Sequence, residues 1–273
     1  MTQTMFYVLL LSAAGFAQGP RILIVTDLEG VGGVNDADEQ LLPGQRRYME
    51  ARRILIGEVN AAVKGARSAD ASEVVIWDGH DGSRTLSVDE IHSGAKLLQG
   101  RPTPANYYLS EKRYDGISFI GQHAMAGTRN GVLAHSQSFS VRRIAINGTE
   151  VGEIGQVAAI AGYFGIPVIM LAGDQAACLE LAALQPGAVT VPVKSLAGKA
   201  STLSLSHAEA TRQIEQAAQK AVARIGEYAP WKIAGPIEMT FEYLPQPPQQ
   251  PAGRTATYRG GNVLEAYEAW LGK

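Results

Sequence analysis

Four short apolar runs constrain this chain more than any other feature: Arg21 to Asp27 (RILIVTD), Glu73 to Asp78 (EVVIWD), Gly116 to Gly121 (GISFIG) and Val168 to Ala172 (VIMLA). Each is too short for a core helix and too continuously apolar for a strand with one wet face. They read as parallel strands buried on both sides. Between them lie segments of helical period. Gln45 to Ala66 carries Tyr48, Ala51, Leu55, Val59, Ala62 and Ala66 at three- and four-residue steps, which makes one apolar helix face. Glu153 to Phe164 reads as a second helix, and a third follows Asp174, which suits its N-cap. Strands alternating with helices predict an α/β fold, a largely parallel sheet with flanking helices.

The texture changes further along. Ser138 to Ile146 alternates in part and runs into Asn147-Gly148, a hairpin signal. Val189 to Val193 reads as a strand. Ser206 and Glu209 form a capping box for a helix with Ala210, Ile214, Ala217, Ala221 and Ile225 on one face. Leu244 to Gly253 is rich in Pro and Gln and reads as an exposed loop, and Asn262 to Leu271 as a last helix. These features predict a metal-binding α/β domain over residues 18–189 and a smaller C-terminal α+β lobe over residues 190–273.

Composition narrows the function. A net charge of −2 implies no basic face, so nucleic acid is a poor partner. The single cysteine, Cys178, permits no internal disulfide and reads as a small buried residue. In residues 1–17 an apolar run, Met5 to Leu11, precedes small residues, with Gly15 and Ala17 at small-x-small spacing. That pattern predicts a signal peptide, and so an exported protein, periplasmic or secreted, although the segment has no Lys or Arg. The run is too short to be a stable membrane anchor.

The predicted strands end in groups that bind metals: Asp27-Leu28-Glu29, Asp78-Gly79-His80 and Gly121-Gln122-His123. In open parallel sheets ligands bind beyond the carboxyl ends of the strands. Asp27, Glu29, His80 and His123 are therefore expected to converge at one sheet edge, with His135 one short loop away. Singly, each has a plainer reading. Asp27 suits a turn, Glu29 a solvated loop, and the histidines ordinary loop positions. Glu153 suits the first turn of a helix, where it complements the dipole. Asp78 suits a turn or a partner holding His80 better than direct ligation. Taken together, imidazoles and carboxylates make a set that zinc favours and that manganese or cobalt also fits. No phosphate-binding glycine loop and no G-x-S-x-G elbow is present. Water activated by metal is the chemistry left.

At these residues the chain resembles a known family, the zinc-dependent D-aminopeptidases of the DppA type. The resemblance rests on DLEG (Asp27 to Gly30), DGH (Asp78 to His80), GQHA (Gly121 to Ala124) and GVLAHS (Gly131 to Ser136). It continues through VGEIG (Val151 to Gly155), IPVIMLAGD (Ile166 to Asp174) and LEAY (Leu264 to Tyr267), in order along residues 21–273. The resemblance implies two zinc ions per subunit, with Asp27 bridging them and Glu29, His80, His123 and Glu153 completing the coordination. It implies a catalytic role for His135, as general acid/base or oxyanion stabiliser. It places a lysine at Lys194 without assigning it a role. It further implies hydrolysis of short peptides from the amino end with a D-alanine preference, in ring-shaped homo-oligomers. The N-terminal extension, the loop from Leu244 and a short last helix depart from the family pattern. Two other readings compete. One is a different two-metal hydrolase, an amidase or a phosphoesterase, with Arg84 and Arg129 near the ligands in sequence. The other is an exported binding protein whose metal is structural.

Overall fold

A computed structural model describes residues 18–100, 109, 114–199, 201–248 and 250–272; the segment expected as a signal peptide lies outside the described residues. The chain runs β1 (Arg21–Thr26), α1 (Ala37–Gln40), α2 (Tyr48–Ser68), β2 (Glu73–Asp78), β3 (Lys96–Leu98), β4 (Gly116–Gln122), β5 (Val141–Ile146) and β6 (Thr149–Glu150). It continues with α3 (Glu153–Tyr163), β7 (Val168–Asp174), α4 (Gln175–Leu184), β8 (Val189–Leu196), β9 (Thr202–Ser204) and α5 (His207–Ala223). The last elements are β10 (Ile237–Tyr243), β11 (Arg254–Gly260) and α6 (Val263–Trp270).

A seven-stranded sheet in the order β3-β2-β1-β4-β7-β8-β9 forms the centre, parallel except for the β8–β9 pair. Strand alternation sends Ile22 and Ile24 into a core layer with α2 and α5, and Leu23 and Val25 into the opposite layer with α3 and α4. Both faces are covered, which is why these strands are continuously apolar in sequence. Each fully buried Ile or Leu contributes roughly 1.5–3 kcal/mol of transfer free energy. Ser206 caps α5 by accepting the Glu209 N–H, and Asn262 caps α6 by accepting the Glu265 N–H.

A second, antiparallel sheet has the order β11-β10-β5-β6 and packs on the α3 side of the core. The β5–β6 hairpin turns through Asn147 and Gly148 at φ 49° and 81°, the left-handed pair that a two-residue hairpin requires. The Leu244 to Gly253 loop joins β10 to β11, and Gln246 and Gln250 exchange backbone hydrogen bonds within it. The sheets do not divide at residue 190. β8 and β9 complete the parallel sheet and α5 packs on the α2 side of it, while the small sheet draws β5 and β6 from earlier in the chain. Among the described residues no helix is long and apolar enough to cross a membrane.

Candidate metal centre

The register of the central strands brings the predicted residues together. Thr26 lies opposite Asp78 on β2 and opposite Ile120 on β4, so β1 and β2 end level and β4 runs two residues further, to Gln122. Past these ends, the Asp27 N–H donates to Ile120 O and the Gly30 N–H to Gly121 O at 2.7 Å, which lays the DLEG loop along the end of β4. His80 opens a single 3-10 turn directly after β2, and His123 follows β4. Asp78 does not face the cluster as a ligand. Its Oδ2 accepts the N–H groups of Thr85 and Leu86, fastening the loop that follows His80. Asp174 occupies the N-cap position of α4, and its Oδ2 accepts the Val132 N–H, which ties down the loop carrying His135.

Asp27 stands at the middle of the cluster. Its Oδ1 is 3.1 Å from His80 Nδ1, and its Oδ2 is 3.3 Å from His123 Nε2. Glu29 Oε2 lies 3.1 Å from the same His80 nitrogen. Glu153 Oε1, from the first residue of α3, lies 3.5 Å from His123 Nε2 and 3.9 Å from His135 Nε2. One carboxylate thus presents one oxygen to each of two neighbouring clusters.

Backbone carbonyls set the tautomer of each ring, because a carbonyl only accepts. His80 donates from Nε2 to Leu41 O at 2.8 Å, leaving Nδ1 as the lone-pair nitrogen. His123 donates from Nδ1 to Ala124 O, and His135 from Nδ1 to Leu133 O, each at 2.9 Å, leaving Nε2 free to accept. All three free nitrogens face the carboxylates. This is the arrangement by which a backbone partner prepares an imidazole for a metal.

The electrostatics favour added positive charge. Burial pushes the Asp27 carboxyl up, but hydrogen bonds from His123 and His80 outweigh it and hold the group well below the usual carboxylate range. Burial opposes a charged His80, yet Glu29 and Asp27 raise it to about 12. Burial likewise opposes a charged His123, yet Glu153 and Asp27 hold it well above the ordinary histidine value. Glu29 Oε2 and His123 Nε2 are buried and make no well-formed hydrogen bond, although His80 and Asp27 lie 3.1 and 3.3 Å away; a cation bound beside each atom relieves that cost. Ligand atoms of Asp27, Glu29 and His123 lie within 4.8 Å of one another, as do those of His123, His135 and Glu153. The donor set fits a zinc-type ion.

His135 is clamped between rings. It stacks on His123 at 3.9 Å and on Phe139 at 4.4 Å between centroids. The loop around it is strained, with Leu133 at φ 54° and Gln137 at φ 64°, neither of them glycine. Such positions cost about 1–3 kcal/mol each and persist where a site demands them. The Gln137 N–H donates to Glu153 Oε1 at 2.7 Å, tying this loop to α3. Sequence reasoning did not single out Phe139 or Gln122, whose amide donates to Asp27 Oδ2 at 3.1 Å. The place of Gln122 inside the GQH run was the available signal.

Asp27, Glu29, His80, His135 and Glu153 line a cavity of about 580 Å³, together with Leu41, Leu42 and Phe139 and with Asp38 and Asp81 beside them. Among the described residues no Lys or Arg lines it. Arg84 and Arg129, close to the ligands in sequence, are exposed and stand outside the lining.

Residues 21–264 match the peptidase M55 family, described as D-aminopeptidase. The chain belongs to this family. As a D-aminopeptidase-family member it is 30% identical over 263 residues to the D-aminopeptidase of Bacillus subtilis (strain 168), spanning 92% of this chain and 95% of that one. The solved structure of the Zn-dependent D-aminopeptidase DppA from Bacillus subtilis, described as a self-compartmentalizing protease, superposes with a TM-score of 0.82. That pair is 28% identical, with 92% of this chain and 95% of the other covered. The M55 match accords with the resemblance read from the motifs, and the shared fold with the α/β class.

Proposed function

We propose that this chain is a zinc-dependent aminopeptidase that removes the first residue of short peptides, with a preference for D-residues such as D-alanine. The observation that carries the reading is the Asp27 carboxylate, set between two imidazoles at the floor of an open cavity. Asp27, Glu29 and His80 would hold one ion, and Asp27, His123 and Glu153 a second. Bound there, zinc supplies Lewis acidity to the scissile carbonyl and brings the pKa of water down to about 7. His135 keeps its proton on Nδ1, so its Nε2 takes a proton and passes it to the leaving amine. Leu41, Leu42 and Phe139 offer apolar surface to the substrate side chain. Asp38 and Asp81 favour a cationic amino terminus over a blocked one. Among the described residues the cavity offers no cation to grip a phosphate, which weighs against a phosphoesterase.

Hydrolysis of four substrates tests this reading, with zinc and with chelator: D-Ala-D-Ala, L-Ala-L-Ala, N-acetyl-D-Ala-D-Ala and a generic phosphate ester. Zinc-restored cleavage of D-Ala-D-Ala is expected, at least about tenfold faster than the L-dipeptide, with the acetylated peptide resistant. Cleavage of L-Ala-L-Ala alone would remove the stereochemical part. Rapid turnover of the phosphate ester would replace the reading.

The self-compartmentalizing relative supports a ring-shaped homo-oligomer that admits short, flexible peptides; a monomer by light scattering would contradict this. Export rests on residues 1–17, and a mature protein retaining Met1 would contradict it.

A further inference from the structure

Beneath the cluster lies a buried charged group that the proposed chemistry does not use. Lys194 sits on β8, paired across the sheet with Asp174, and is 2% exposed. Its ammonium donates to the carbonyl oxygens of Glu29 and Val34. Those two carbonyls bracket the segment from Glu29 to Val34, so one side chain holds both ends of the loop that presents Glu29. From the helix side, Glu58 on α2 is fully buried, and its Oε1 accepts the Gly32 N–H at 3.1 Å. Ser204 on β9 accepts the Gly33 N–H at 3.0 Å. Neither Lys194 nor Glu58 lines the cavity.

Lys194 is an expensive choice for a merely structural brace. Burial pulls its ammonium down to about 8, against the pull of Asp174 and Glu58. A buried charge of this kind is weak evidence for stability, because apolar replacements of similar volume commonly stabilise as well or better. Its hydrogen bonds instead fix where the backbone of the DLEG loop lies relative to His80 and His123.

We propose that Lys194 and Glu58 are positioning residues for the metal-binding loop, holding Asp27 to Val34 from two sides so that Asp27 and Glu29 meet the imidazoles. The proposal rests on the zinc reading above and extends it to residues behind the ligands. Partners of this kind set metal affinity by 10–100-fold in other sites.

Zinc affinity measured by competition with a chelator tests it, together with Tm, for the parent chain, Lys194→Met, Glu58→Leu and a control, Phe241→Leu. Phe241 is buried in the small sheet, away from the loop. Expected are a loss of zinc affinity of about 10–100-fold in Lys194→Met and about 3–10-fold in Glu58→Leu. Phe241→Leu lowers Tm and leaves zinc affinity within twofold of the parent. Amide hydrogen exchange across residues 28–34 is expected to quicken in both loop variants and not in the control. Should Lys194→Met fail to fold, Glu58→Leu decides, because it swaps a buried acid for an apolar group of similar size. Loop variants that bind zinc as the parent does, or a control that loses as much affinity, overturn the proposal. A parent that binds no zinc overturns the metal reading and this proposal with it; a binding parent with unchanged loop variants overturns only the proposal.

Discussion

Asp27→Asn is expected to abolish zinc binding and peptide turnover together while leaving a folded protein. Both Asp27 oxygens are already engaged. Oδ1 accepts the Leu28 N–H at 2.9 Å and Oδ2 the Gln122 amide at 3.1 Å, while the same atoms face His80 and His123. An asparagine keeps the shape but replaces one acceptor with an NH2 group. That group meets a donor whichever way it is placed, and the charge that draws cations to both sides is gone. Partners one step behind a ligand already cost 10–100-fold in affinity, so the loss here is at least about 100-fold. Turnover falls by roughly 1,000-fold or more, the scale of removing a central electrostatic group from an active site. Zinc titration and steady-state kinetics on the same preparation measure both. A variant that loses activity but keeps parent zinc affinity would mean that Asp27 is not a ligand.

Gly30→Ala is expected to be among the most damaging single-methyl changes in the molecule. A Cβ at Gly30 would lie 2.0 Å from Gln122 O and 2.6 Å from Gly121 C, against backbone that cannot turn away. The neighbouring Gly121 is equally confined, with φ +78° and a Cβ position 2.0 Å from Asp27 O. The absence of two side chains lets the β1 and β4 loops touch backbone to backbone, and that contact sets Asp27 beside His123. Separating the loops costs about 3 kcal/mol or more, a fall in Tm of roughly 6–12 °C. Zinc affinity falls with it, since the ligands part. Gly165→Ala is the comparison. Gly165 has the φ of +78° found at Gly121, but its Cβ would meet nothing within 4 Å, so it carries only the left-handed penalty of about 1–2 kcal/mol. Thermal melts of the two variants check the contrast; a Gly30→Ala loss no larger than that of Gly165→Ala would contradict the backbone contact between the loops.

The ends of β1, β2 and β4 were legible because their signal is local. An apolar run marks each strand, and the residue after it lands at the sheet edge whatever the rest of the chain does. Glu153 was not legible in this way. A carboxylate in the first turn is what any helix uses to satisfy its dipole, and only the VGEIG motif set it apart. β10 and β11 went unnoticed beside the Pro/Gln-rich loop, and β10 pairs with β5 across a long stretch of chain, Met239 opposite Ile146. The same long-range pairing is why the sheets cross the boundary suggested by texture near residue 190. Lys194 lies in VTVPVKSL, where a lone lysine suggests a solvent-facing position. Its burial depends on loop carbonyls contributed by residues 29 and 34, which no local pattern encodes.

The most direct test of the shared Asp27 carboxylate is anomalous diffraction at the zinc edge from zinc-loaded crystals. The account predicts two peaks per subunit, about 3.5–4 Å apart. One should lie against His80 and Glu29, the other against His123 and Glu153, with an Asp27 oxygen on each. A single peak, or two peaks that Asp27 does not join, would contradict it.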